Sequence, residues 1–159
     1  MWWSPFQVCW TKYGSFPFRG KHCHEMALRI LLANLESHAN RYKRHIVPML
    51  SVSVDFYVRV FIRVYTSAQA CKWSATKLTY MYQCTGCESF HLQPMARATQ
   101  KDGQANPRFM PGVAPTVCGK CDQCGWDFNF GGPFWAEKLH DETWVKVRVI
   151  AHPCRAAQI

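Results

Sequence analysis

Tyr57-Val58-Arg59-Val60-Phe61-Ile62-Arg63-Val64-Tyr65 alternates with a period of two. In an extended chain Val58, Val60, Ile62 and Val64 leave one face, and Tyr57, Arg59, Phe61, Arg63 and Tyr65 leave the other, because successive strand side chains point to opposite sides. The apolar run Ile46 to Val54 precedes it with only Asp55-Phe56 between, so the two runs are expected to pair as an antiparallel hairpin. The valine and isoleucine face is expected to be core. The face that interleaves arginine with aromatic rings suits phosphates and stacked bases, and it suits equally well Arg stems lying across a half-buried aromatic surface with no ligand.

Upstream, from about His22 to Asn40, Leu28, Leu31, Leu32 and Leu35 fall at i, i+3, i+4 and i+7, while Glu25 and Arg29 stand four apart. This is an amphipathic helix with a core-facing stripe. It runs into Arg41-Tyr42-Lys43-Arg44-His45, a cationic cluster that complements the negative end of the helix dipole and is also able to meet phosphate. His22, His24 and Glu25 imitate the HExxH zinc-protease pattern, but the position four after His24 is Leu28, so no second imidazole shares that face.

Downstream, a strand predicted from Leu78 to Gln83 leads into Cys84-Thr85-Gly86-Cys87, and a second pair follows at Cys121-Asp122-Gln123-Cys124. Each CxxC turn brings two sulfurs within roughly 4 Å, and two such turns can close a structural zinc site. Cys118-Gly119-Lys120-Cys121 is also CxxC, so spacing leaves the register of the second pair open. Unliganded thiols are the plain alternative; redox catalysis is less favoured, since neither pair opens a recognisable helix after a strand. Ala96 to Val117 is rich in Gly, Pro and polar residues and reads as a loop held at its ends. Gly131-Gly132-Pro133 reads as a turn, and Phe134-Trp135 as packing for the small metal module rather than a base-stacking platform.

The chain has 159 residues, 48% apolar and 14% aromatic, which suffices for a core and argues against disorder. Nine cysteines, an odd number, argue against a disulfide framework and for a reduced, intracellular setting. No N-terminal apolar run matches a signal peptide, and Asp55, Arg59 and Arg63 interrupt the stretch from Val47 to Val64, so no membrane partner is expected. Residues 1–80 carry 11 Lys/Arg against 3 Asp/Glu, whereas residues 81–159 carry 8 against 7. A basic half beside a metal-knuckle half points to a polyanion, foremost nucleic acid; a solvated basic face without a partner is the competing view.

Lys12-Tyr13-Gly14, Arg19-Gly20, Cys23-His24-Glu25 with Ala27-Leu28-Arg29-Ile30, and Asp55-Phe56-Tyr57-Val58-Arg59-Val60 together resemble the tRNA (guanine-26-N2) dimethyltransferase family. Tyr82-Gln83-Cys84 through Cys87, Phe90-His91-Leu92-Gln93, Gly131-Gly132-Pro133 through Trp135-Ala136-Glu137, and His140-Asp141 continue the likeness, which covers about residues 9–145. That family joins a doubly wound methyltransferase domain, dependent on S-adenosylmethionine, to a C-terminal domain of its own, and it mono- and dimethylates N2 of guanine 26 in tRNA.

The resemblance implies an α/β chain. Residues 9–66 would be a remnant of a class I methyltransferase sheet, its closing helix at 22–40 and its last two strands at 46–65. Residues 67–145 would be a small zinc-binding α+β domain, with 1–8 and 146–159 outside the match. The family's cofactor-binding half, with its glycine-rich loop and Asp-Pro-Phe-Gly type motif, would lie upstream of Cys9. S-adenosylmethionine is therefore not expected to bind this chain, and no catalytic residue is assigned in it. Carried over residue by residue, the family's paired cysteines fall on Cys84, Cys87, Cys121 and Cys124, which decides the register against Cys118. With tRNA as partner, Arg59 and Arg63 on the hairpin and Arg41, Lys43 and Arg44 before it are the expected RNA contacts. Arg19, His24 and Glu25 follow the place of the active site, but capping and ion pairing are the better account of them. After Val145 the family continues as a helix, whereas Lys146 to Ile159 alternates and ends in His152-Pro153-Cys154. Nucleus or mitochondrion is the implied compartment. The alternatives are a stand-alone zinc-dependent RNA-binding module without catalysis, and an inert truncated product whose valine and isoleucine face lacks its cover.

Overall fold

The computed structural model describes residues 4–100, 107–114 and 116–151. Helix α1, Pro5–Tyr13, starts with Ser4 and Gln7 in a reciprocal capping box and ends at Gly14 in the left-handed conformation. Helix α2, Cys23–Asn40, buries Met26, Leu28, Ile30, Leu32, Ala33 and Glu36. Leu31 and Leu35 of the expected stripe are only half-buried. The buried arc is broader than a leucine stripe because α2 is covered from two sides, by the first hairpin and by the last strand.

The hairpin forms as expected, β1 (Arg44–Val54) against β2 (Tyr57–Thr66), with Ile46 opposite Val64, Ser51 opposite Val60 and Val54 opposite Tyr57. The register slips between Pro48 and Leu50, and Met49 at the slip is buried. The inward face of β2 corrects the expectation. Val60 and Ile62 are half-buried, and Val58 and Val64 are 43% and 50% exposed. The cause is topological: β2 is the edge of a two-stranded sheet, and α2 lies mainly over β1.

After the short helix α3 (Ala68–Cys71) and a single 3-10 turn at Ser74–Lys77, strand β3 (Leu78–Cys84) becomes the centre of an antiparallel sheet. Its neighbours are β4 (Phe90–Pro94) and β7 (Phe128–Trp135). The segment Ala96 to Val117 is not all loop, since β5 (Ala96–Thr99) pairs with β6 (Arg108–Pro111). Among the contacts that hold it, Trp73 meets Phe109 edge-on at 5.1 Å, and Gln93 donates to the Val113 carbonyl at 2.7 Å. Gly131-Gly132-Pro133 is likewise strand rather than turn. Phe16 and Gly132 exchange two backbone hydrogen bonds, 3.1 and 2.9 Å, and a Cβ on Gly131 would stand 2.6 Å from the Phe18 ring. Glycine is what lets residues 16–18 lie against β7. The chain ends its described part in helix α4, Glu142–Ala151, so the alternation after Lys146 is helical as far as Ala151, and His152-Pro153-Cys154 lie outside the described residues.

Among the described residues two clusters make up most of the core. Phe18, Met26, Ile30, Met81 and Phe134 form one, and Leu32, Ala33, Ile46, Trp135 and Leu139 the other. Phe134 and Trp135 are packing, as expected, and they pack on α2 as well as on the sheet. Each such side chain removed from water contributes about 1.5–3 kcal/mol. Both clusters take residues from either side of Thr66, with α2 as the shared spine. No helix among the described residues is long and apolar enough to cross a membrane.

Candidate metal centre and basic surface

The first CxxC turn leaves the end of β3, and the second stands just ahead of β7. Both are built alike. The Cys84 amide donates to the Ser89 carbonyl and the Cys121 amide to the Trp126 carbonyl, each at 2.8 Å. The residue after the second cysteine is left-handed in both, Glu88 at φ 60° and Gly125 at φ 75°. Because β3 and β7 are hydrogen-bonded neighbours, Cys84 opposite Phe128, the two turns face each other.

Their four sulfurs lie within 4.8 Å of one another. Cys84 Sγ is 3.3 Å from Cys124 Sγ, and Cys87 Sγ is 3.7 Å from Cys121 Sγ. Thiolates held about 2.3 Å from one tetrahedral ion stand about 3.8 Å apart, so the donor set and its spacing fit such an ion. Cys84 and Cys121 are buried, Cys87 and Cys124 exposed. Cys118 is exposed and outside the group. The sulfurs converge as two turns, and neither CxxC opens a helix.

Electrostatics inside the cluster is uneven. The Ser89 hydroxyl, 3.2 Å from Cys87 Sγ and 3.4 Å from Cys121 Sγ, draws both thiols down, and the amides of Gln123 and Cys124 help bring Cys121 to about 6. Cys124 goes the other way. The Trp126 amide favours its thiolate, but Cys84, burial, Cys87 and Cys121 outweigh that and push it up to about 12. Four sulfurs this close cannot all ionise without a cation to balance them. Trp126 closes the outside: a Cβ on Gly86 would lie 2.8 Å from its ring and 3.2 Å from Cys124 Sγ. Ser89 and Trp126 were not singled out by the CxxC spacing; their common place, right after each turn, was the available signal.

The structure separates the expected RNA contacts into two groups. Arg59 and Arg63 pair with Val52 and Val47 and so share one face of the hairpin. Arg41 follows α2, Lys43 takes a left-handed conformation, and Arg44 pairs with Thr66 on the opposite face from Arg63. All five are exposed, and none forms an ion pair with a carboxylate among the described residues. Arg59 lies 5.4 Å over the Tyr57 ring. Arg19, His24 and Glu25 do local work: Arg19 lies 5.7 Å over Phe6, His24 is 3.4 Å from Ser53 Oγ, and Glu25 pairs with Arg29 at 2.8 Å.

The family model described as N2,N2-dimethylguanosine tRNA methyltransferase matches residues 4–154. The tRNA (guanine(26)-N(2))-dimethyltransferase 1 of Arabidopsis thaliana is 60% identical over 139 residues, covering 87% of this chain and 23% of that protein. The human tRNA (guanine(26)-N(2))-dimethyltransferase is 45% identical over 140 residues, covering 87% and 21%. Trm1 from Pyrococcus horikoshii, solved with S-adenosyl-L-methionine, aligns with a TM-score of 0.66 at 26% identity, covering 91% of this chain and 32% of that one. The chain thus spans less than a quarter of the length of these two curated relatives.

Proposed function

The chain belongs to the N2,N2-dimethylguanosine tRNA methyltransferase family, and from that premise we propose that it serves an enzyme that methylates N2 of guanine 26 in tRNA with S-adenosylmethionine as donor. The observation that carries this is the family match across residues 4–154, together with 60% identity to the Arabidopsis thaliana relative. Within that enzyme this stretch docks tRNA and supplies a rigid zinc-held scaffold. Zinc is the ion of choice for four thiolates at tetrahedral spacing, and Cys84, Cys87, Cys121 and Cys124 would hold it, neutralising the sulfurs and tying β3 to the loop before β7. Arg59 and Arg63, with Arg41, Lys43 and Arg44 at the base of the hairpin, meet phosphates; their exposure and their lack of acidic partners among the described residues support that role. In such a reaction most of the rate gain comes from positioning the exocyclic amine against the methyl donor. The described residues bind the tRNA body and not the donor. The compartment is nucleus or mitochondrion; the Saccharomyces cerevisiae relative, 35% identical, is named as mitochondrial.

The test is a binding titration of the purified chain against a tRNA bearing guanine 26, at about 50 mM and about 200 mM salt, with calorimetry against S-adenosylmethionine. tRNA affinity should drop at least about tenfold between the two salt levels, and the methyl donor should give no binding heat. A flat salt response removes the docking role, and saturable donor binding removes the assigned division of labour.

A further inference from the structure

One face of the β4-β3-β7 sheet carries rings instead of a core. Tyr80 and Phe130 stack with centroids 5.0 Å apart at 23°, and Tyr82 meets the same Phe130 at 5.0 Å. Phe130 is 54% exposed. Beside this face the chain supplies a second stacked pair, Trp10 on Phe16 at 4.9 Å and 18°, both rings also well exposed. The two pairs line a groove of about 420 Å³ floored by Gly131, Gly132 and Pro133. Phe16 and Phe130 also line a second recess of about 330 Å³, together with Arg19, Gln83 and Asn129.

The placement follows from the fold. Gly132 accepts Phe16 as a backbone neighbour, which brings α1 and its Trp10 alongside β7. A groove with flat π walls on two sides suits a flat π ligand better than an aliphatic one, since stacked and offset rings are the favoured aromatic geometry. Charge narrows the choice. Strands β3, β4 and β7 carry no Asp, Glu, Lys or Arg, and residues 1–24 carry Lys12, Arg19 and Lys21 with no acid. A polyanion in the groove therefore meets Arg19 in the adjoining recess and no carboxylate from these segments. Aromatic platforms with a basic margin are how proteins hold unpaired nucleotides without reading their sequence.

We propose that the groove between Trp10-Phe16 and Tyr80-Phe130 stacks unpaired nucleobases of a single-stranded or looped RNA segment, with Arg19 next to the adjoining phosphates. This rests on the reading of the chain as a tRNA-handling protein and adds a second contact surface to the basic hairpin.

The experiment titrates the full chain with fluorescently labelled single-stranded deca-adenylate and with tRNA, using Phe130→Leu, Phe130→Tyr, Trp10→Leu and Arg63→Gln, each checked by circular dichroism. Phe130→Leu and Trp10→Leu should bind deca-adenylate about tenfold more weakly or worse. Phe130→Tyr, which keeps a ring, should bind like the parent, and Arg63→Gln should reduce the logarithmic salt slope for tRNA by about one. Equal deca-adenylate binding by the folded ring-free variants overturns the groove while leaving tRNA docking in place. A parent chain that binds tRNA in low salt but never deca-adenylate does the same. A chain that binds neither RNA overturns the tRNA reading and the groove with it. Ring-dependent binding of a proline decapeptide in place of RNA overturns the assigned ligand alone.

Discussion

Arg29 Nη1 donates to the Trp135 carbonyl at 2.8 Å, so a guanidinium in the middle of α2 holds the last residue of β7. The same nitrogen reaches the Glu137 carbonyl at 3.1 Å, and Glu25 holds the other side of the fork at 2.8 Å. Replacing Arg29 by Met keeps the stem and leaves the Trp135 and Glu137 carbonyls without this donor. Urea unfolding should show a loss of about 1–3 kcal/mol. Glu25→Gln should cost less than about 1 kcal/mol, because the Glu25 end of the pair is exposed. Equal losses in the two variants would contradict the clamp.

Glu36 gives the opposite case, a carboxylate with no exposure at all. Its Oε2 accepts the Ile46 amide at 2.7 Å at the entry to β1, and Oε1 lies 3.6 Å from Lys77 Nζ, which itself stands 5.3 Å over the Trp135 ring. Glu36→Ala removes the acceptor and strands both the amide and the ammonium, for an expected loss of about 3–5 kcal/mol in thermal or urea unfolding. Glu36→Gln retains an amide oxygen for Ile46 and should be milder. A Glu36→Ala variant as stable as the parent would mean that the pair is compensated elsewhere.

Of these links only the Glu25–Arg29 pair was legible, from its i, i+4 spacing; the hold of Arg29 on Trp135 and of Glu36 on Ile46 was not, and the reason is the same for both. Periodicity reports which side of an element is apolar, and so α2 and the β1-β2 hairpin could be placed to within a few residues. It is silent on a carboxylate such as Glu36 that lies inside the stripe. The CxxC pairs were legible because the ligand chemistry demands that spacing. Gly131-Gly132-Pro133 and the segment containing β5 and β6 were misread because Gly and Pro are local turn signals, whereas here close approach of Phe16 and Phe18 and pairing of Ala96 with Pro111 decide the conformation. The inner face of β2 was read from alternation, but cover depends on what lies beyond the strand's edge, which alternation cannot report.

The two arginines of the hairpin face should be separable from the rest of the surface. If Arg59 and Arg63 each neutralise a phosphate, Arg59→Gln and Arg63→Gln should weaken tRNA binding similarly for different tRNA sequences and reduce the logarithmic salt slope by about one each. Arg59 lies over Tyr57, so Arg59→Gln should also loosen that ring and show a small loss of stability, below about 1 kcal/mol. Unchanged salt slopes in both variants would assign the hairpin face to packing.

Gly86 tests how tightly the metal turns are closed. Alanine there would bring a methyl 2.8 Å from the Trp126 ring and 3.2 Å from Cys124 Sγ. Trp126 is 62% exposed and has room to swing out, so the chain should fold, while its tryptophan emission shifts to the red and its zinc affinity falls by about tenfold, in line with losses on disturbing the surroundings of metal ligands. Retained affinity together with unshifted emission would show that the turn relaxes in some other way.

The register of the second cysteine pair, and the protons it holds, can be read in one series. Cys118→Ser should keep zinc, about one ion per chain by elemental analysis, while Cys121→Ser and Cys124→Ser should lose it or bind far more weakly, because the four converging sulfurs exclude Cys118. In the metal-free cluster Cys124, pushed up to about 12, keeps its proton at pH 7, whereas Cys121, drawn down to about 6, is mostly ionised. Zinc entering at pH 7 must therefore expel the Cys124 proton, and calorimetry in two buffers of different ionisation enthalpy should register that release. As the pH falls through about 6, Cys121 takes up a proton as well, so competition with zinc steepens and affinity drops faster below that point than above it. A competitive chelator titration from pH 8 to pH 5 measures the curve. Loss of zinc in Cys118→Ser equal to that in Cys124→Ser, or an affinity that does not fall with acid, would displace the ion from these four sulfurs.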